Sequence, residues 1–120
     1  MLFSAVFAIV VGAGMIGQWT VSFAARQIPE LRSEPVRIWF HIAGEMVTAA
    51  ALVISGIGLL AGVRWASELY LIAAGMLLYT VIVSPGYFAQ KGRWIWVGIF
   101  GVLFALAVIS VLTISVRPPA

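Results

Sequence analysis

Cysteine is absent from the chain. That excludes disulfides, thiolate metal centres, iron–sulfur clusters and every redox mechanism that works through a protein thiol. Charge is scarce too: 9% of the residues are charged against 63% that are hydrophobic, a balance far from that of a soluble globular domain. Histidine occurs once, as His41. One histidine, one nearby carboxylate and scattered hydroxyls fall short of the ligands a metal centre needs. No nucleophile motif surrounds Ser22 or Ser84. A haem needs only one axial histidine, or two from a symmetric dimer, but no second histidine stands in a span, and no cofactor is expected. No charge precedes Arg26, so the basic start of a secretory signal is missing and the first segment is expected to stay in place.

What is present is four long apolar runs. A span of hydrocarbon takes ~20 helical residues, and the runs cover approximately residues 1–25, 36–62, 66–84 and 94–116. The remainder is short loops and tails, so residues 1–120 are expected to form a single membrane domain. The fold class expected is an all-α integral membrane protein, a four-transmembrane-helix bundle running up-down-up-down. The net charge of +3 comes from basic residues at the ends of the runs, where they meet phospholipid headgroups. The bilayer is therefore the expected partner, and nucleic acid is not.

Local signals set the boundaries. Arg26 to Val36 is polar, with alternating charge and two prolines, and reads as a loop at a membrane surface. Ser33-Glu34-Pro35 reads as a helix start, with Ser33 as N-cap and Pro35 in the first turn, where no N–H is needed. Val63 to Ser67 is a tight turn, so the second and third runs are neighbours. Ser84-Pro85-Gly86 is expected to end the third run, ahead of an elbow of Tyr87, Phe88, Lys91 and Arg93. Arg117-Pro118-Pro119-Ala120 is expected to stop the fourth.

Small residues mark close approaches: Gly12, Gly14 and the Ala13/Gly17 pair in the first run, Gly58/Gly62 in the second, and Gly98, Gly101 and Ala105 in the fourth. Grooves left uncovered suggest a homo-oligomer or a membrane partner subunit. The loops with Arg26, Arg32, Arg37, Lys91 and Arg93 outweigh the other side, with Arg64 and Arg117. Residues 26–36 and 85–93 are therefore expected to be cytoplasmic at the cell membrane, with both termini outside.

Against this apolar background the polar residues single out a site. His41 and Glu45 are one turn apart, with Arg37 before them and Thr48 after, all within a narrow sector of one helix. Counting ~1.5 Å per residue puts Gln18 and Glu45 each roughly 10 to 12 Å inside the cytoplasmic boundary. An ionisable residue facing hydrocarbon is costly, so these side chains are expected to face the interior or a wet cavity. The expected ligand- or ion-binding set is Glu45, His41, Gln18, Thr48, Tyr79, Thr80 and Ser84, with no catalytic residue and no metal. Tyr70 and Glu68 are placed near the opposite interface. Burial and the neighbouring imidazole act on Glu45 in opposite senses, so the pair is expected to titrate as one unit. The function expected is that of a small transporter or channel-like protein for a proton, cation or small polar solute. The alternatives are an accessory subunit of a larger membrane complex, and a membrane enzyme or haem carrier using His41.

Overall fold

The computed structural model describes residues 2–26, 28 and 30–115. The expected stop at Arg117-Pro118-Pro119-Ala120 lies outside the described residues. The described residues form helices and turns, with no strand among them: α1 (Leu2–Ala24), α2 (Glu30–Ser33), α3 (Pro35–Ala61), α4 (Ala66–Val83), α5 (Pro85–Gln90) and α6 (Trp94–Ser115). Four helical stretches, α1, α3, α4 continued through α5, and α6, are long and apolar enough to cross a membrane. The molecule is elongated, 50 × 24 × 20 Å, against the ~40–45 Å of a bilayer with its headgroups.

The α1–α3 pair forms the most extensive interface and rests on two glycines. Ala5, Ala8, Gly12, Met15 and Trp19 recur at spacings of three and four, which puts them on one stripe of α1. A Cβ on Gly12 would stand 2.8 Å from the Ala49 carbonyl oxygen and 2.7 Å from Val53 Cγ2. Reciprocally, a Cβ on Gly56 would stand 2.9 Å from the Ala5 carbonyl oxygen and 2.7 Å from Ile9 Cγ1. Residue 12 thus meets 49–53 while residue 56 meets 5–9, so the two helices run in opposite directions and touch nearly backbone to backbone.

Around this pair the core is closed by Leu52 and Leu59 of α3, Tyr70, Ala73, Ala74 and Leu77 of α4, and Ala107 of α6. The last helix is the least covered, and Gly98, Gly101 and Ala105 lie exposed on it. Neither Gly98 nor Gly101 has a neighbour within 4 Å of a notional Cβ, so the expected groove is not used within the chain. Ala13, Gly14 and Gly17 of α1 are likewise exposed. Phe88 of α5 stacks on Trp96 and Phe100 of α6, with ring centroids 5.5 and 5.8 Å apart.

Several boundaries differ from the sequence reading. Ser33 closes α2 instead of capping α3; the N-cap is Glu34, without a side-chain cap bond, and Pro35 takes the first helical position. Pro35 still serves as a helix start because its missing N–H is one the first turn leaves unpaired anyway. Pro85 does not release the chain. Ser84 stays right-handed helical, at φ −61° and ψ −35°, its N–H donates to the Thr80 carbonyl at 2.8 Å, and Pro85 opens α5. The stop comes at Gly92, at φ 72°, where Gly92 and Arg93 donate back to Ala89 and Phe88 at 3.1 and 2.8 Å.

The same left-handed closure ends α3. Gly62, at φ 73°, donates to Leu59 at 3.3 Å, and Val63 donates to Gly58 at 3.0 Å, the pattern that satisfies a helix's last carbonyls. The Gly58/Gly62 pair is therefore split. Gly58 admits Ala66 of α4, whose Cβ lies 2.9 Å from where a Cβ on Gly58 would be, whereas Gly62 is a terminator with open space around it.

Candidate functional site

Glu45 lies on the buried face of α3 with Ala49, Leu52 and Gly56 and is 7% exposed. The closely set α1 brings Trp19 over it, because Trp19 continues the Ala5–Ala8–Gly12 stripe. The indole Nε1–H donates to Glu45 Oε2 at 3.3 Å. One turn back on α3, His41 Nε2 stands 3.4 Å from Glu45 Oε1. The two rings meet edge-on, with centroids 5.7 Å apart and planes at 68°. Each carboxylate oxygen is thus held by a different ring, and the rings brace one another. The His41 side chain is 45% exposed, so a titratable group bridges the bundle surface and a buried carboxylate.

The remaining expected residues divide. Thr48 is buried one turn beyond Glu45, but its hydroxyl donates to the Gly44 carbonyl at 2.8 Å and so is committed to its own helix. Gln18 is exposed and donates to Ser22 Oγ at 3.3 Å; it is one residue off the α1 stripe, and a 100° turn takes it away from Glu45. Tyr79 is 70% exposed. Thr80 and Ser84 are half-buried near the end of α4 and are linked to one another through the backbone. Arg37 pairs with Glu34 at 3.5 Å and has its charge met outside the cluster. The structure therefore joins His41 and Glu45, sets Thr48 beside them, and adds Trp19. The signal for Trp19 is in the sequence: the heptad-like run 5, 8, 12, 15, 19 passes through it and misses residue 18.

A second polar cluster lies toward the opposite end of the helices. Ser4, Tyr70 and Ser110 are each 0% exposed. The Ser4 hydroxyl donates to the Ser110 carbonyl at 3.0 Å, the Tyr70 hydroxyl donates to Ser110 Oγ, and Ser110 Oγ donates to the Ala107 carbonyl at 2.7 Å. Tyr70 is thus a core residue and not an interfacial one. The cluster ties α1, α4 and α6 together where apolar contact between α1 and α6 is sparse. Among the described residues no buried side-chain nitrogen or oxygen lacks a partner. Clusters of this kind hold apolar helices in register, at ~0.6 to 2 kcal/mol per hydrogen bond.

Two clefts open on the surface, both away from Glu45. One, of about 560 Å³, is wholly apolar and lies between Phe3, Phe7 and Val10 of α1 and Leu103 and Leu106 of α6. The other lies where α1 gives way to α2.

Comparison with known proteins finds one family, described as "Domain of unknown function (DUF8058)", which matches residues 2–118. No curated protein and no solved structure matches the chain.

Proposed function

We propose, for a chain that belongs to the DUF8058 family and takes its functional reading from its own residues, a four-span integral membrane protein of the transporter or channel class. Its site is the Trp19–His41–Glu45 cluster, which takes up and releases a proton or a small cation from the cytoplasmic side. In this reading the four long helices run up-down-up-down through the cell membrane. The polar segments 26–36 and 85–93 are cytoplasmic, because they hold most of the basic residues, and both termini are outside.

One observation carries the functional part. Glu45 is buried to 7% exposure, yet its one titratable neighbour, His41, is 45% exposed at the side chain. A proton arriving at the imidazole has a carboxylate oxygen 3.4 Å behind it, within one small rearrangement of hydrogen-bond reach. Both oxygens of Glu45 already face protein partners, and the two surface clefts lie elsewhere. That favours a proton or bare cation over a bulkier solute. Proton relays in membrane proteins use this combination of a carboxylate and an imidazole facing the bundle interior.

The test is flux in liposomes under an imposed pH gradient. Wild type should carry protons or a proton-coupled cation with a marked pH dependence. Glu45→Gln keeps the shape and the acceptor for Trp19, so it should melt like wild type and lose the flux. A variant that transports like wild type with an unchanged pH profile removes Glu45 from the mechanism.

A second reading, an accessory subunit seated against a larger membrane complex or against another copy of the chain, is favoured by the outward Gly98, Gly101 and Ala105 of α6. In that case the Glu45 cluster is interhelical glue. The protein then copurifies with its partner from mild detergent and shows no flux alone.

A further inference from the structure

The segment after α1 folds back so that Ile28 is buried, at 7% exposure, and α2 packs against the start of α3. Between these parts lies a cleft of about 490 Å³, lined by Phe23, Ile28 and Leu31 with Arg26 and Arg32. The floor is apolar and both arginines are exposed. Arg26 holds a left-handed backbone, at φ 57°, where its N–H closes α1 onto the Phe23 carbonyl at 3.1 Å. A glycine would do this without the side-chain crowding that Arg26 accepts. Nearby Glu34 pairs with Arg37. Among the side chains described, neither Arg26 nor Arg32 has an acidic partner within ion-pair distance.

We propose that this cleft seats the headgroup of an anionic phospholipid, its phosphate held between Arg26 and Arg32 and the start of its acyl region lying on Phe23. The proposal rests on the reading that the long helices span a bilayer with residues 25–34 at its surface. Two guanidiniums offer planar, paired donors that match phosphate oxygens. Their joint charge favours a lipid with net negative charge over one whose ammonium cancels its phosphate. Phe23 adds an aromatic ring at headgroup depth; it faces Trp39 across α3, with ring centroids 6.0 Å apart.

The experiment is native mass spectrometry of the full chain in gentle detergent, titrated with phosphatidylglycerol or phosphatidylcholine. Each arginine near a membrane surface is worth about 1 kcal/mol toward an anionic lipid, which is about fivefold in affinity. R26Q and R32Q should each weaken phosphatidylglycerol binding about fivefold, and the double variant roughly twenty-five-fold. R64Q, at the far end of the helices, should change nothing. Both arginines are exposed, so the variants should keep wild-type helical content and melting. Equal binding of the two lipids, an equal loss in R64Q, or displacement of phosphatidylglycerol by millimolar inorganic phosphate would overturn the proposal. The last outcome would mark a site for free anions. Alkaline washing of membranes holding the chain separates the two levels: release sinks the membrane reading itself, whereas retention without headgroup preference sinks only the lipid site.

Discussion

A single methyl group at Gly12 tests the packing that places Trp19 over Glu45. In Gly12→Ala the new Cβ would lie 2.7 Å from Val53 Cγ2, 2.8 Å from the Ala49 carbonyl oxygen and 3.2 Å from Leu52 Cβ, whereas carbon contacts are best near ~3.5–4.0 Å. Val53 can turn, but the carbonyl belongs to the backbone of α3, so α1 must move away by an appreciable fraction of an ångström. A gap of ~0.5–1 Å forfeits about a quarter to a half of each dispersion contact along the seam. Overpacking of this kind costs about 1–3 kcal/mol. Alanine's better helix propensity returns up to ~1 kcal/mol, leaving a net loss of about 1–2 kcal/mol.

Gly14→Ala is the internal control. Nothing lies within 4 Å of a Cβ there, so only the propensity gain applies, and the variant should be neutral or slightly more stable. Thermal or denaturant unfolding in mixed micelles, followed by helical circular dichroism, reads both. Gly12→Ala should melt several degrees below wild type and Gly14→Ala at or above it. Gly56→Ala should resemble Gly12→Ala, its Cβ meeting Ile9 and the Ala5 carbonyl. The double variant should cost less than the sum, because one displacement of α1 from α3 relieves both clashes. Equal stability of Gly12→Ala and Gly14→Ala would refute the close α1–α3 seam.

Removing the Tyr70 hydroxyl in Tyr70→Phe should cost about 0.6–1.7 kcal/mol, and a double-mutant cycle with Ser110→Ala should show coupling; strict additivity would dissolve the Ser4–Tyr70–Ser110 network. Single cysteines at Ser33 and Gln90, both on exposed positions, should be labelled by an impermeant reagent only from the cytoplasmic side. Labelling from opposite faces would end the four-span topology. Gly101→Leu should leave the melting of the isolated chain unchanged, since the position faces outward, and alter only association with another copy or partner. A large loss of stability in monomeric micelles would show that α6 packs differently.

The helices were legible because charge-free runs of hydrophobic length are a strong signal, and Gly62 with the short turn after it gave a clean end to α3. Proline was the weaker guide. The argument at Pro85 assumed that a lost N–H and a steric preference at Ser84 end a helix, yet Phe88 stacking on Trp96 and Phe100 offsets a missing bond and keeps the chain helical to Gln90. At the site, the one-turn spacing of His41 and Glu45 is local and could be read directly. The third member depends on how α1 is rotated against α3, a tertiary property set by Ala5, Ala8 and Gly12. Gln18 was favoured for its polarity, and the stripe that selects Trp19 instead passes through apolar residues. Ser4 and Ser110 were invisible for a related reason: a lone serine in an apolar helix acquires meaning only when a partner such as Tyr70 is brought to it from another helix.

The central claim is that His41 and Glu45 act on one proton as a pair. His41 is the only histidine in the chain, so the imidazole resonances of reconstituted protein in nuclear magnetic resonance report on it without ambiguity. Followed against pH, wild type should titrate as a coupled pair, in two macroscopic steps or one broadened one. Glu45→Gln should collapse this to a simple single-site curve with a displaced midpoint, while melting as wild type does. Superimposable curves for wild type and Glu45→Gln would show two independent groups and contradict the account.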